Sequence, residues 1–185
     1  MNSTLNACMH AINTYLVGMC ALSEVSIVTS NVQNIVDFGL SEKIEGYYDF
    51  RLASYSCQAL LRLVPPKLSQ EDPNPPKKFD TDHKMFQQLE RLLVEGIEYQ
   101  KDVHYMPMAK NALMLIFQLG EGPDRFTGDL VKKICEKIKA KEDSDDGNKA
   151  ETFVLSRLCY VVGQIALCQV SFFLFKMQSY MLSYF

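Results

Sequence analysis

The side chains able to do chemistry are three histidines, six cysteines and a run of lysines past the middle of the chain. His10, His83 and His104 lie far apart, and none has a cysteine, aspartate or glutamate at the spacing of a metal site. Cys8, Cys20, Cys57, Cys135, Cys159 and Cys168 form no CxxC pair. They sit inside apolar helical faces and read as reduced, buried thiols rather than a disulfide or zinc framework. Nucleophilic catalysis would require a histidine to meet a cysteine or serine in space, and no pattern in the chain demands that meeting. Neither GxxxxGK[ST] nor GxGxxG occurs, and Gly120-Glu121-Gly122 joins two helical patterns as a turn, not a phosphate loop. No catalytic residue, metal ligand, cofactor or small-molecule substrate is expected, and the chain does not read as an enzyme.

The lysines are more informative. Lys132, Lys133, Lys137, Lys139 and Lys141 lie mostly opposite the apolar stripe Phe126, Leu130, Ile134, Ile138, and Lys77 and Lys78 add charge from a nearby loop. Such a cluster can contact nucleic-acid phosphates without reading base sequence. A solvated helix face with lysines near its C-terminus, where the dipole favours cations, is the plainer reading and carries more weight. The adjacent Glu142, Asp143, Asp145 and Asp146 would compete with DNA.

These groups must be positioned by helices. Apolar residues recur at i, i+3, i+4, i+7 in six segments, the rhythm of one buried helical face. The stripes are Leu5, Cys8, Met9, Ile12, Leu16, Met19; Val25, Val28, Val32, Ile35, Val36; and Ala53, Cys57, Leu60, Leu61, Val64. They continue as Met85, Phe86, Leu89, Leu92, Leu93; Met108, Ala109, Ala112, Leu113, Ile116, Leu119; and the stripe opposite the lysines. The predicted helices are 4–21, 24–40 with Ser23 as N-cap, 49–64, 83–97 capped by Asp82, 105–119 with Pro107 in its first turn, and 124–141. Pro65 and Pro66 stop the third helix and open a long exposed loop over 65–82, and an acidic linker spans 141–149.

A last helix begins near Ala150 and is apolar nearly all round, so it must be covered on several sides. Residues 158–175 carry no charge between Arg157 and Lys176, which reaches the lower edge of a transmembrane span. Gln164, Gln169 and Ser171 weigh against lipid and favour a helix buried among neighbours. The N-terminus MNSTLNACMH lacks the basic start and apolar stretch of a signal peptide.

At 48% hydrophobic and 22% charged the chain is globular, and a net charge of −3 does not mark a strongly basic nucleic-acid binder. Helix pairs begin near residues 5, 50, 105 and 150. Two-helix units recurring at roughly this interval point to an all-α HEAT or armadillo α-α superhelix, a solenoid of about three and a half repeats. The pattern reads as a piece of a solenoid, because a solenoid end normally carries a polar capping face.

Three stretches carry a family likeness: IVDFGLSEKIEGYYDFRLASYSCQALLRL (35–63); FDTDHKMFQQLERLLVEGI (79–97) with YMPMAKNALMLIFQLGEGPD (105–124); and LSRLCYVVGQIALCQ (155–169). In that order they resemble the large HEAT-repeat subunits of condensin, the condensin complex subunit 1 family. The resemblance implies a HEAT segment over 1–169 acting as a non-catalytic scaffold in mitotic chromosome condensation. Its implied partners are the kleisin, the SMC ATPase subunits and chromosomal DNA bound without sequence preference. Its implied location is the nucleus and chromosomes with a cytoplasmic pool. The family's chains are several-fold longer, so an internal fragment, short isoform or truncated gene product is expected. The aromatic-rich residues 170–185 depart from the family. Two rivals remain, a HEAT transport or trafficking scaffold and a small membrane-anchored protein using 158–175.

Overall fold

Six helices form where the apolar stripes lie: α1 Val25–Gly39, α2 Phe50–Leu61, α3 Lys84–Gly96, α4 Tyr105–Leu119, α5 Pro123–Glu142 and α6 Thr152–Ser183. The structure is a computed structural model that describes residues 24–42, 48–64, 78–99, 102–142 and 151–183, with Ala11, Tyr15, Val17 and Gly18. The expected helix 4–21 therefore falls largely outside the described residues, as do most of the loop 65–82 and of the acidic linker.

The helices alternate between two layers. α2, α4 and α6 lie side by side in one, and α1, α3 and α5 form the other. The most extensive contact is α2 on α4, followed by α4 on α6 and α1 on α2. Among the described residues α1 does not touch α5, nor α2 touch α6, so each helix meets only its near neighbours. Same-layer helices run parallel. Tyr105 and Phe117 of α4 meet Arg157 and Phe172 of α6 in ascending order. This is the all-α solenoid that the helix-pair spacing predicts.

Local chemistry sets the ends. Asp49 caps α2 by accepting from the Leu52 amide at 2.8 Å. α3 begins one residue later than expected, and its cap is His83, whose Nδ1 accepts from the Met85 amide at 3.2 Å, rather than Asp82. The cause is Asp80. Its carboxylate accepts from the Asp82 amide and its carbonyl from the His83 amide, a turn that leaves Asp82 inside it and His83 at the boundary. α1 starts at Glu24, an N-cap without a side-chain bond, and Ser23 lies outside the described residues. Between α4 and α5, Gly122 adopts a φ of 62°, which favours glycine, and Pro123 supplies the first residue of α5.

Close packing fixes the junctions. At the end of α1 a Cβ added to Gly39 would lie 1.9 Å from the Ser56 Oγ, so α1 approaches α2 more closely than any side chain permits. The core is centred on α2, α3 and α4, where Phe50 packs edge-on against Tyr105 at 5.5 Å and Tyr99 at 5.7 Å. The buried Tyr105 hydroxyl donates to the Leu93 carbonyl at 3.0 Å.

Arg157 of α6 reaches into this centre and is 4% exposed. Its guanidinium donates to the carbonyls of Gly96 at 2.9 Å, Ile97 at 3.3 Å, Asp102 at 3.0 Å and Tyr99. It also stacks 4.5 Å from the Tyr105 ring and 5.1 Å from the Phe153 ring. The carbonyls left open at the end of α3 thereby find donors on another helix.

Among the described residues α6 is covered along one side only. Val154, Arg157, Val161 and Ile165 are buried, while Leu155, Val162, Leu167, Val170, Phe173, Leu174, Phe175, Met177 and Met181 are exposed. Among the described residues α4 and α5 are the helices that pack along α6, while α3 meets it at one end through Arg157 and Lys78 meets it at Phe172. Its segment Thr152–Gln178 is long and apolar enough to cross a membrane by length and composition, and 11% of its most apolar stretch is buried.

Candidate functional site

The lysine face forms because α5 puts Leu130, Ile134 and Ile138 into the core and turns the intervening positions outward. α5 lies beside α3, and the amphipathic pattern of α3 does the same with Met85, Phe86, Leu89, Leu92 and Leu93. Charged residues of the two helices therefore meet along their outer edges. Lys133 pairs with Glu90, Lys137 with Glu95, and Lys141 with Glu98 at 3.8 Å. The three lysines rise along α5 in four-residue steps as Glu90 and Glu95 rise along α3 and Glu98 follows just past its end, so these helices are also parallel. Lys84 extends the ladder to α1 through Asp37 at 2.8 Å, and the ammonium of Lys84 with the amide of Gln33 holds the Asp37 carboxyl below its usual range.

The five candidate lysines thus separate into two sets. Lys133, Lys137 and Lys141 face glutamates, whereas Lys132 and Lys139 are exposed with no partner among the described residues. The glutamates escaped the sequence reading because they lie some 43 residues upstream of their partners. Their signal was present as a polar row opposite the α3 stripe.

Lys78 belongs to a different place. Its ammonium donates to the Gln118 carbonyl at 2.6 Å, next to Phe79, whose amide donates to Leu119 at 2.8 Å and whose carbonyl accepts from Glu121 at 3.0 Å. The loop that the sequence leaves exposed is docked, at this end, onto the C-terminus of α4. The ammonium of Lys78 lies 5.9 Å from the centre of the Phe172 ring and that of Lys176 lies 4.6 Å from it. Burial lowers the Lys78 pKa, and the charge of Lys176 lowers it further. Lys77 is outside the described residues.

The histidines and cysteines stay apart. His83 is spent on its cap, His104 precedes α4 without a side-chain cap bond, and His10 lies outside the described residues. Cys57 is buried, and burial pushes its thiol up to about 12. Cys135 and Cys168 are partly buried, but Cys159 is exposed, contrary to the expectation of buried thiols throughout. Cys8 and Cys20 lie outside the described residues. Among the described residues no three histidine, cysteine or acidic side chains converge on a point that could hold a metal. Glu42, Tyr48, Arg91, Glu95 and Tyr99 line an open groove of about 310 Å³ beside α3. Burial, followed by the charge of Glu42, raises the Tyr48 pKa there.

No family model matches the chain. It is similar to condensin complex subunit 1 of Homo sapiens, at 30% identity over 167 residues that cover 84% of this chain and 12% of that protein. It is also similar to condensin complex subunit 1 of Xenopus laevis, at 26% identity over 157 residues, 84% of this chain and 11% of the relative. The corresponding protein of Saccharomyces cerevisiae is 27% identical over 162 residues, 82% of this chain and 13% of the relative. The resemblance to condensin complex subunit 1 is therefore borne out, and the chain spans about an eighth of the length of the curated relatives it matches.

Proposed function

We propose that this chain is a non-catalytic HEAT-repeat scaffold segment of the condensin complex, supporting mitotic chromosome condensation. One observation carries the proposal: similarity to condensin complex subunit 1 of animals and yeast across more than four fifths of the chain. The layered helices favour it, because a stack of helix pairs offers an extended surface able to hold a peptide, here a segment of the kleisin. The SMC ATPases supply the hydrolysis in this reading. Contact with the DNA backbone falls to Lys132 and Lys139, since Lys133, Lys137 and Lys141 already face Glu90, Glu95 and Glu98. The site of action is the nucleus and chromosomes, with a cytoplasmic pool. The HEAT segment extends over 1–169, and 170–185 is a tail outside the family pattern.

Affinity purification of the tagged chain from dividing cells, with partners identified by mass spectrometry, tests the proposal. Recovery of SMC and kleisin subunits is expected, and recovery of transport or trafficking proteins in their place would overturn it. The length and apolar character of Thr152–Gln178 favour a second reading, a membrane-anchored protein. Carbonate extraction separates the two, since a spanning helix stays with the membrane pellet and a scaffold is released.

A further inference from the structure

The open groove beside α3 is built from segments that are distant in the chain. Glu42 follows α1, Tyr48 precedes α2, Arg91 and Glu95 stand one turn apart on α3, and Tyr99 follows that helix. Two rings line the groove, and Phe50 braces both, stacked 6.4 Å from Tyr48 and edge-on at 5.7 Å from Tyr99. Tyr48 is 5% exposed, yet its hydroxyl makes no hydrogen bond among the described residues. A buried hydroxyl in that state is costly, and a group entering the groove can supply the missing bond. Two carboxylates share the space with one guanidinium. Glu95 gives one oxygen to Lys137, which lies outside the groove lining, and its other oxygen makes no hydrogen bond among the described residues. Glu42 has an interaction of its own, but a carboxylate has about four acceptor positions and room for a further donor. Arg91 pairs with neither acid. Burial is the first cause of the raised Tyr48 pKa; among the charges Glu42 acts most strongly, Arg91 opposes it, and Glu95 adds to it. The hydroxyl therefore sits in a negative field.

We infer that this groove receives the cationic side chain of a partner protein, a lysine or arginine carried on an exposed segment. Each lining group but one suits such a guest. Glu42 and Glu95 accept from its N–H donors, the Tyr48 oxygen can accept as well, and the tyrosine rings attract a cation through their faces. The cavity, about 310 Å³, holds a single long side chain rather than a folded element. An anionic guest would satisfy Arg91 but lie against two carboxylates, which rules against a phosphate or a nucleic-acid backbone. Arg91 is the dissenting group. It repels the cation, so its removal should strengthen binding, the opposite of what an anion site predicts. This inference goes beyond the condensin reading and stands or falls without it.

The test titrates the full chain with glycine–serine peptides and follows the amide resonances of Glu95 and Tyr99 by nuclear magnetic resonance. One peptide carries a central arginine, a second carries citrulline, its uncharged isostere, and a third carries aspartate. The arginine peptide is expected to bind at least about tenfold more tightly than the citrulline peptide, with affinity falling as salt rises. Glu42→Gln with Glu95→Gln should weaken it about tenfold. Asp129→Asn with Glu136→Gln removes the same charge from α5, outside the groove, and should change affinity by less than about twofold. Arg91→Gln should tighten binding about threefold. Tyr48→Phe keeps the ring, removes the acceptor and should weaken binding about threefold, and circular dichroism confirms that each variant is folded. Equal binding of the arginine and citrulline peptides would overturn the inference. So would tighter binding of the aspartate peptide, equal losses from the two acid pairs, or weaker binding after Arg91→Gln.

Discussion

Replacing Arg157 by methionine removes the guanidinium while keeping an unbranched apolar stem on the rings of Tyr105 and Phe153. Four backbone carbonyls lose a donor: Gly96, Ile97, Tyr99 and Asp102. The bonds to Tyr99 and Asp102 are only partly buried, so water can replace them. Those to Gly96 and Ile97 are buried, at the very end of α3, and water cannot reach them without opening the α3–α4 junction. Hydrogen bonds from a charged donor are worth ~1.5–3 kcal/mol each, so two such losses set a cost of ~3–6 kcal/mol. Release of the desolvated guanidinium offsets part of this, leaving a net destabilisation of ~3 kcal/mol. For a chain of this size that is a fall in Tm of ~6–12 °C. Urea unfolding followed by circular dichroism reads the change directly, and Arg157→Lys should fall between, since an ammonium cannot span the same set of carbonyls. An Arg157→Met variant within ~0.5 kcal/mol of the parent would refute the reasoning, because surface substitutions behave that way.

Gly39→Ala should cost ~3 kcal/mol, as its methyl would have to displace Ser56, and Ser56→Gly should restore part of the loss in urea titrations. Hydrogen exchange of that variant should quicken in α1 while α6 stays protected. Cys57, with its folded pKa raised from 9.0 to about 12, contributes stability that is intact below pH 9 and lost as pH climbs toward 12. The slope in that window is ~1.4 kcal/mol per pH unit, and Cys57→Ala should remove it from unfolding midpoints measured across the range. DNA binding through Lys132 and Lys139 alone predicts a log–log salt slope of ~−1.8 by fluorescence anisotropy, whereas all five lysines would give ~−4.5.

Helix positions were legible in the sequence to within a few residues because each apolar stripe had one solution. Tyr105–Leu119 was read with both ends correct, fixed by Pro107 within and Gly120 just after. At α3 the reading missed by one residue, since both Asp82 and His83 can cap and the choice was made by Asp80, a turn residue outside the helix. The lysine cluster was visible as a row of like charge, but not its neutralisation, which depends on α3 lying parallel to α5. Arg157 was noticed only as the border of an apolar run. Nothing in its neighbours along the chain reveals that its partners are carbonyls 55 to 61 residues upstream. Exposure of Cys159 was missed for a related reason: a thiol on an apolar helix looks the same whether or not its cover belongs to the same chain.

Parallel order within each layer decides between two architectures that periodicity cannot tell apart. In an up-and-down bundle, adjacent helices run antiparallel and close into a ring, so the first and last elements meet. Here Glu90, Glu95 and Glu98 ascend against Lys133, Lys137 and Lys141, and α1 never reaches α5. A stack of this kind has a growing end rather than a closed core. Its stability is a sum of local junctions, so a methyl at Gly39 strains only the α1–α2 end, and loss of Arg157 strains only the α3–α4–α6 junction. Exposed ion pairs contribute at most ~1 kcal/mol each, so the ladder sets the register of α3 against α5 more than it holds them together.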